Sequence, residues 1–348
     1  MHKKRVLIAI LLIIAAIGLS GCNMNRSNEK TKQGFEFITT LEYEEALTSF
    51  DLALEAGEDE QQIARGRGIA YLGLARYEEA IEQFLLALSF SDEFVDDFDF
   101  DTNYYLATAY YKNGQSDKAE EVYSAILALR DDREAHFLRG IACLDQNKLE
   151  EAKKDFDMAL AKNTTDYDMR IQIAQSLEEH GYETEAKAYL QAALGNNEKK
   201  ISDYDKGRLS YYMGDYEAAR NYLESSKGNK DAKTVLLLGQ TYEKLGDYNY
   251  AASIYSNYLT ENSGDVIIYN RLGMCKLQAG DAESAVDYFE QALALADTSM
   301  VQTLKFNQIV AYEHMGDFDQ AIVLMRNYLE IYPDDKEALR EYEFLKSR

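Results

Sequence analysis

An all-α fold, an α-solenoid of about nine helix-turn-helix repeats with a C-terminal capping helix, is what this 348-residue sequence predicts. Three observations carry that expectation. There is one proline (Pro333) and there are only 20 glycines, too few breakers for the many turns of a β-sandwich or barrel. An alanine recurs at Ala46, Ala80, Ala119, Ala152, Ala186, Ala219, Ala251, Ala285 and Ala321, in steps of 32 to 39 residues. Four residues after each stands a large apolar side chain: Phe50, Phe84, Tyr123, Phe156, Leu190, Leu223, Tyr255, Phe289 and Met325. A period in this range signals stacked repeats, each unable to bury its apolar face alone.

A third column sits twelve residues before each alanine: Gly34, Gly68, Ala107, Gly140, Ala174, Gly207, Gly239 and Gly273, then Ile309. Each copy reads as two amphipathic helices, the second carrying alanine and large residue at i, i+4 on one face. Between them most copies hold a glycine (Gly114, Gly181, Gly214, Gly246, Gly280, Gly316), which suits the left-handed position ending a helix. Asp215, Asp247, Asp281 and Asp317 follow four of these glycines and favour the next helix start.

The first copy is atypical, with Lys30 and Gln33 where apolar residues belong. The sixth has Ser210 in the aromatic column, which leaves its register open by a position or two. Residues 334–348 carry Leu339, Tyr342 and Leu345 at helical spacing and read as the capping helix. The step of 39 marks an insertion at about 89–101, with six acids and four phenylalanines (Phe90, Phe94, Phe98, Phe100). It reads as an acidic loop that either covers a neighbouring groove or binds a partner.

The pattern resembles the tetratricopeptide repeat (TPR), most closely in Leu238-Gly239-Gln240-Thr241-Tyr242 with Gly246-Asp247-Tyr248 and Ala251, and in Ile309, Tyr312, Gly316-Asp317-Phe318, Ala321 and Pro333. The resemblance covers about residues 27–335. It implies a concave face, lined by the first helices, that holds extended peptides or partner helices. Placed on that frame, Tyr104, Tyr105, Tyr111 and Lys112 turn inward in copy three, and Tyr204, Arg208, Tyr211 and Tyr212 in copy six. Asn270, Arg271 and Met274 do so in copy eight, and Phe306, Asn307 and Glu313 in copy nine. Tyrosine suits recognition because it buries a large area with two rotors and keeps a hydroxyl. Ten other tyrosines fall in packing columns, so any one groove tyrosine is open to a packing role as well.

The amino end carries an address. Residues 2–5 are His-Lys-Lys-Arg, and Val6 to Leu19 is an apolar run too short to span a bilayer. It ends Leu19-Ser20-Gly21-Cys22. This resembles the lipobox of bacterial lipoproteins and implies a signal peptide at 1–21 and an acylated Cys22 (diacylglyceryl, palmitate-type chains). Residues 22–33 would then be a polar tether merging into the first repeat. The alternative is an uncleaved anchor helix with Cys22 incidental. Either places the remaining chain outside the cytoplasm, at the cell membrane or, in a two-membrane cell, at the outer membrane.

Formal charge is −24, a field that repels nucleic-acid phosphate and favours basic partners. Enzymatic constellations are absent from the sequence, with neither HExxH nor Cys-x-x-Cys. His136 falls in the packing of a first helix, and His180 and His314 sit at first-helix ends, where exposure is expected. Cys143 and Cys275 lie four copies apart and read as separate buried thiols. Asp97, Asp99 and Asp101 alternate as in a calcium loop but lack its glycine and closing glutamate. No cofactor, metal or small-molecule substrate is expected. The function so implied is a non-enzymatic, membrane-anchored scaffold for a protein or peptide. The alternative is an accessory or substrate-presenting factor of an envelope machine for wall synthesis, secretion or appendage assembly.

Overall fold

The computed structural model describes residues 28–91, 95–197, 201–226, 228, 231–295 and 300–348. Cys22, the leader and most of the tether lie outside the described residues, as does Phe94. Among the described residues the chain is all α, with no strand, and its helices alternate in hairpins. Hairpin one is α1 (Glu29–Thr39) and α2 (Tyr43–Glu55), two is α3 (Glu60–Gly73) and α4 (Tyr77–Ser89), and three is α5 (Asp97–Lys112) and α6 (Ser116–Leu129). Four is α7 (Arg133–Asp145) and α8 (Leu149–Ala161), five is α9 (Tyr167–Glu179) and α10 (Glu183–Asn197), and six is α11 (Asp203–Tyr212) and α12 (Tyr216–Ser225). Seven is α13 (Ala232–Lys244) and α14 (Tyr248–Leu259), eight is α15 (Val266–Gln278) and α16 (Ala282–Leu295), and nine is α17 (Val301–Met315) and α18 (Phe318–Ile331). A last helix, α19 (Lys336–Leu345), follows. None of them is long and apolar enough to cross a membrane. Two compact units divide the chain, one ending at Tyr189 and the other beginning at Leu190.

Local chemistry starts seven of the nine first helices, while α17, entered from Met300, has no side-chain cap. Asp59, Asp96, Asp132, Asp166, Ser202, Asp231 and Asp265 accept backbone N–H groups of α3, α5, α7, α9, α11, α13 and α15, and Asp335 does so for α19. Each such cap stabilises its helix by about 1 kcal/mol, so part of the chain's acidity is spent at helix starts. For α1 the carboxylate comes from afar: Glu58 accepts the N–H groups of Lys30 and Thr31 at 3.1 and 2.8 Å. At the hairpin turns six glycines take the left-handed conformation as expected. Leu41, Ala75 and Asn147 hold the same conformation in hairpins one, two and four, with φ of 63°, 59° and 60°. The turn geometry is thus kept where glycine is missing, at the cost of side-chain strain.

The three columns build the core. All nine recurring alanines are completely buried, as are Phe50, Phe84, Phe156, Leu190, Leu223, Tyr255, Phe289 and Met325, with Tyr123 nearly so. In hairpins one, two, four, six, seven and eight the large residue of the second helix lies against the glycine of the first. A β-carbon on Gly239 would stand 2.2 Å from Tyr255, and one on Gly68 would stand 2.5 Å from Phe84. Phe50 is gripped on two sides, by Gly34 of its own hairpin and Gly66 of the next. This explains why glycine is tolerated inside a helix despite its cost there: the wedge needs the room.

In hairpin six a β-carbon on Gly207 would meet Leu223 at 2.5 Å. The wedge relation therefore holds there without a register slip, and Ser210 is buried in the aromatic column. Within the second unit, Ala338 and Leu345 of α19 join Met325 and Tyr328 of α18 in one buried cluster.

The later, described part of the 89–101 insertion departs from a loop. Residues 97–101 form the first turn of α5, closed by a capping box between Asp96 and Asp99. A helix turns alternate residues to different sides. Asp99 accordingly meets Ser91, while Asp101 pairs with Arg65 at 3.4 Å. The aspartates thus do not converge as a calcium loop needs. Phe98 and Phe100 lie under Arg65 and Arg130, at 4.7 and 4.4 Å from the guanidinium carbons.

Candidate functional site

The first helices carry the residues singled out for binding, and the structure sorts them. In the first unit Tyr104 and Tyr105 are buried, which corrects their reading as open groove residues. The Tyr104 hydroxyl donates to Asp132 at 2.6 Å, and Asp132 caps α7, so this tyrosine ties hairpin three to hairpin four. Burial and the adjacent Asp132 push its phenol well above the usual range. Tyr105 stacks on Phe84, ring centroids 5.7 Å apart and planes 13° from parallel. Both lie on the face of α5 that packs.

Tyr111 and Lys112 are only half-buried, and they belong to a polar cluster. Asp145 at the end of α7 accepts from Ser116 Oγ at 2.9 Å and lies 2.8 Å from His180 Nε2. Tyr111 also bonds it, and burial followed by that carboxylate raises the phenol. Burial lowers the Lys112 ammonium. His180 Nδ1 lies 2.7 Å from the Ser176 carbonyl, and the bond to Asp145 raises the imidazole above its ordinary value. His180 is therefore half-buried rather than exposed, whereas His314 is exposed. Sequence reasoning missed Asp145 altogether. Its signal is faint, one more acid among 61.

In the second unit Arg208 pairs with Asp205 at 3.3 Å and lies 5.5 Å from the centre of the Tyr204 ring. Tyr211 meets Tyr212 and Tyr216 edge-on at 5.4 and 5.5 Å, and burial first, then these neighbours, pushes its phenol to about 12. Arg271 pairs with Glu243 at 3.3 Å, and Glu243 in turn accepts the Tyr255 hydroxyl at 2.6 Å. The Asn307 amide donates to Asn270 Oδ1 at 2.8 Å, linking α17 to α15. Met274 packs half-buried against the core of hairpins seven and eight. Phe306 goes to packing, edge-on to Tyr328 at 5.9 Å. Glu313 keeps one carboxylate oxygen buried without a partner, and burial, reinforced by Glu341, raises the group to about 7.

The result is a polar row across successive first helices: Tyr211 on α11, Glu243 on α13, Asn270 and Arg271 on α15, Asn307 and Glu313 on α17. Glu243 went unnoticed in the sequence because Arg271 is 28 residues away and only stacking joins them.

His136 and the two described cysteines sit in the packing. His136 Nδ1 lies 2.9 Å from buried Asp155, which also takes a two-pronged bond from Arg139. Cys143 and Cys275 are buried free thiols, and burial pushes the Cys143 thiol to about 12, far from a nucleophile's range. Among the described residues no cluster of His, Cys, Asp or Glu could hold a metal ion.

Known proteins with this build were found by sequence and by structure. Tetratricopeptide repeat family models match residues 36–93, 104–168, 236–300 and 304–335, more than half of the chain. Tetratricopeptide repeat protein 21B of Xenopus laevis is 23% identical over 141 residues, 40% of this chain and 11% of that protein. The chain thus spans about a tenth of the length of that curated relative. A tetratricopeptide repeat protein from Parabacteroides merdae superposes with a TM-score of 0.44 at 16% identity, covering 72% of this chain and 98% of that one. YrrB, described as a TPR protein with an unusual peptide-binding site, gives 0.38 at 20% identity, covering 54% and 97%. The matched repeats and the wedge packing that runs through them place this chain in the tetratricopeptide repeat family.

Proposed function

We propose that this protein is a non-enzymatic scaffold that holds an extended, basic peptide or protein segment along its first helices. Tetratricopeptide repeat proteins act as protein-interaction scaffolds, and the reading here rests on one observation. The row from Tyr211 through Glu243 and Arg271 to Asn307 is polar and half-exposed, while the columns beside it are apolar and sealed. Packing alone does not demand amides and charges there. Asparagine pairs suit a peptide backbone, and the under-bonded Glu313 carboxylate suits a lysine or arginine. The strongly acidic chain steers such a partner in.

The anchor belongs to the same proposal. Leu19-Ser20-Gly21-Cys22 supports lipid attachment at Cys22, and two or more acyl chains hold a protein stably where one does not. Tethered outside the cytoplasm, the scaffold would present its cargo to an envelope machine for wall synthesis, secretion or appendage assembly.

The test is capture with the full chain from solubilised membranes, followed by cross-link mapping. Cross-links on α11, α13, α15 and α17 that disappear with Asn270→Ala/Asn307→Ala are the expected outcome. Recovery of a small molecule and no protein would overturn the scaffold reading. Mass spectrometry finding Cys22 bare and the leader intact would overturn the anchor.

A further inference from the structure

The second helices carry a position that core packing leaves free, six residues after each recurring alanine. In hairpins one, two and four it holds Leu52, Leu86 and Met158, exposed by 45%, 45% and 42%. In hairpins five to nine the same position is Ala192, Ser225, Asn257, Gln291 and Asn327. The repeat therefore accepts polar residues there, and four turns of the array serve as an internal control. Exposed apolar side chains scattered singly need no explanation, but leucine recurs at this helical position on the first two hairpins, before Ala125 of hairpin three interrupts the series. Leu85 of α4 and Leu54 of α2 add further exposed apolar surface.

The surroundings state the partner's chemistry. Helices α2 and α4 together hold seven carboxylates (Glu44, Glu45, Asp51, Glu55, Glu78, Glu79, Glu82) and no lysine or arginine, although Asp51 is already paired with Arg67 of α3 and Glu79 with Arg76. Glu55 lies three residues from Leu52, and Glu82 four from Leu86, so each shares a helix face with its leucine. Like charge opposes a second copy of this face, and anionic headgroups are repelled in the same way.

We propose that the outer faces of α2 and α4 form a docking surface for a basic amphipathic helix of another protein. Its leucine-type side chains would cover Leu52 and Leu86, and its lysines or arginines would meet Glu55 and Glu82. This surface is separate from the first-helix row, so either can fail without the other.

The probe is an 18-residue peptide of leucine and lysine with leucines at i, i+3, i+4 and i+7, titrated into the full chain. Binding is read by fluorescence anisotropy and its place by hydrogen exchange. The expected result is new protection in α2 and α4, with affinity falling about ten-fold or more in Leu52→Ser/Leu86→Ser. Glu55→Lys/Glu82→Lys should weaken it similarly while the thermal transition of both variants stays at the wild-type temperature. No binding at about 1 mM peptide, or protection confined to first helices and indifferent to both variants, would overturn the proposal. So would a dimer in sedimentation that Leu52→Ser/Leu86→Ser dissolves, which assigns the face to a second copy. Binding of phosphatidylcholine vesicles that the same variant abolishes would assign it to lipid instead.

Discussion

Hairpins six and seven solve one packing problem with different chemistry. In hairpin seven Tyr255 lies on Gly239, and its hydroxyl reaches through to Glu243, which pairs with Arg271. In hairpin six Leu223 lies on Gly207 and makes no such link. The helices differ too: α11 and α12 have ten residues each, against thirteen and twelve in α13 and α14. The backbone relation between wedge and small residue is the same. Its chemical use is not, because only the tyrosine wedge connects the core to the first-helix face. Repeat geometry and the polar chemistry of the first-helix face are therefore separable within one hairpin.

The largest test of that separation is Leu223→Ala. It empties a fully buried wedge and should cost about 3 kcal/mol, read by denaturant unfolding. A cost below about 1 kcal/mol would mean hairpin six collapses onto the gap and its wedge is dispensable. Next comes Gly239→Ala, which forces a methyl to within 2.2 Å of the Tyr255 ring and should cost about 2 kcal/mol by overpacking. Gly207→Ala should cost less, since a leucine can change rotamer where a tyrosine ring cannot. Equal costs would erase the distinction between the two wedges.

Tyr255→Phe keeps the wedge and cuts the link. It should cost about 1 kcal/mol and should weaken peptide capture at Arg271 with no change at hairpin six. Unchanged capture would show that Tyr255 is packing alone. The smallest effect concerns acid–base balance in the last hairpin. Glu313 has a folded-state value near 7, raised above its ordinary 4.5. Its contribution to stability is full below about pH 4.5 and is lost as pH rises through about 7. Hydrogen-exchange protection of α17 and α19 should fall across that window, and Glu313→Gln should flatten the fall. A flat profile in the wild type would show that the carboxyl is not under strain.

Much of this was legible before any coordinates. The alanine, wedge and small-residue columns are local in sequence and imposed by helix contact, so nine copies repeat the first two, eight repeat the third, and the structure buries every one. Helix starts were legible in part, because an aspartate cap acts on the backbone three residues away. The candidate site was less readable. Tyr104 and Tyr105 matched the inward positions as well as Tyr111 did, yet one bonds Asp132 and one stacks on Phe84. His180 and Asp145 are 35 residues apart, and no spacing rule joins them.

The order of residues along the chain dictated the hairpin, its register and its core, since those depend on contacts within one repeat length. Which polar groups meet, which tyrosines are spent on packing and which leucines stay uncovered depended on how one hairpin rests on the next. Those contacts join side chains about one period apart, where small differences in helix length and tilt choose the partner.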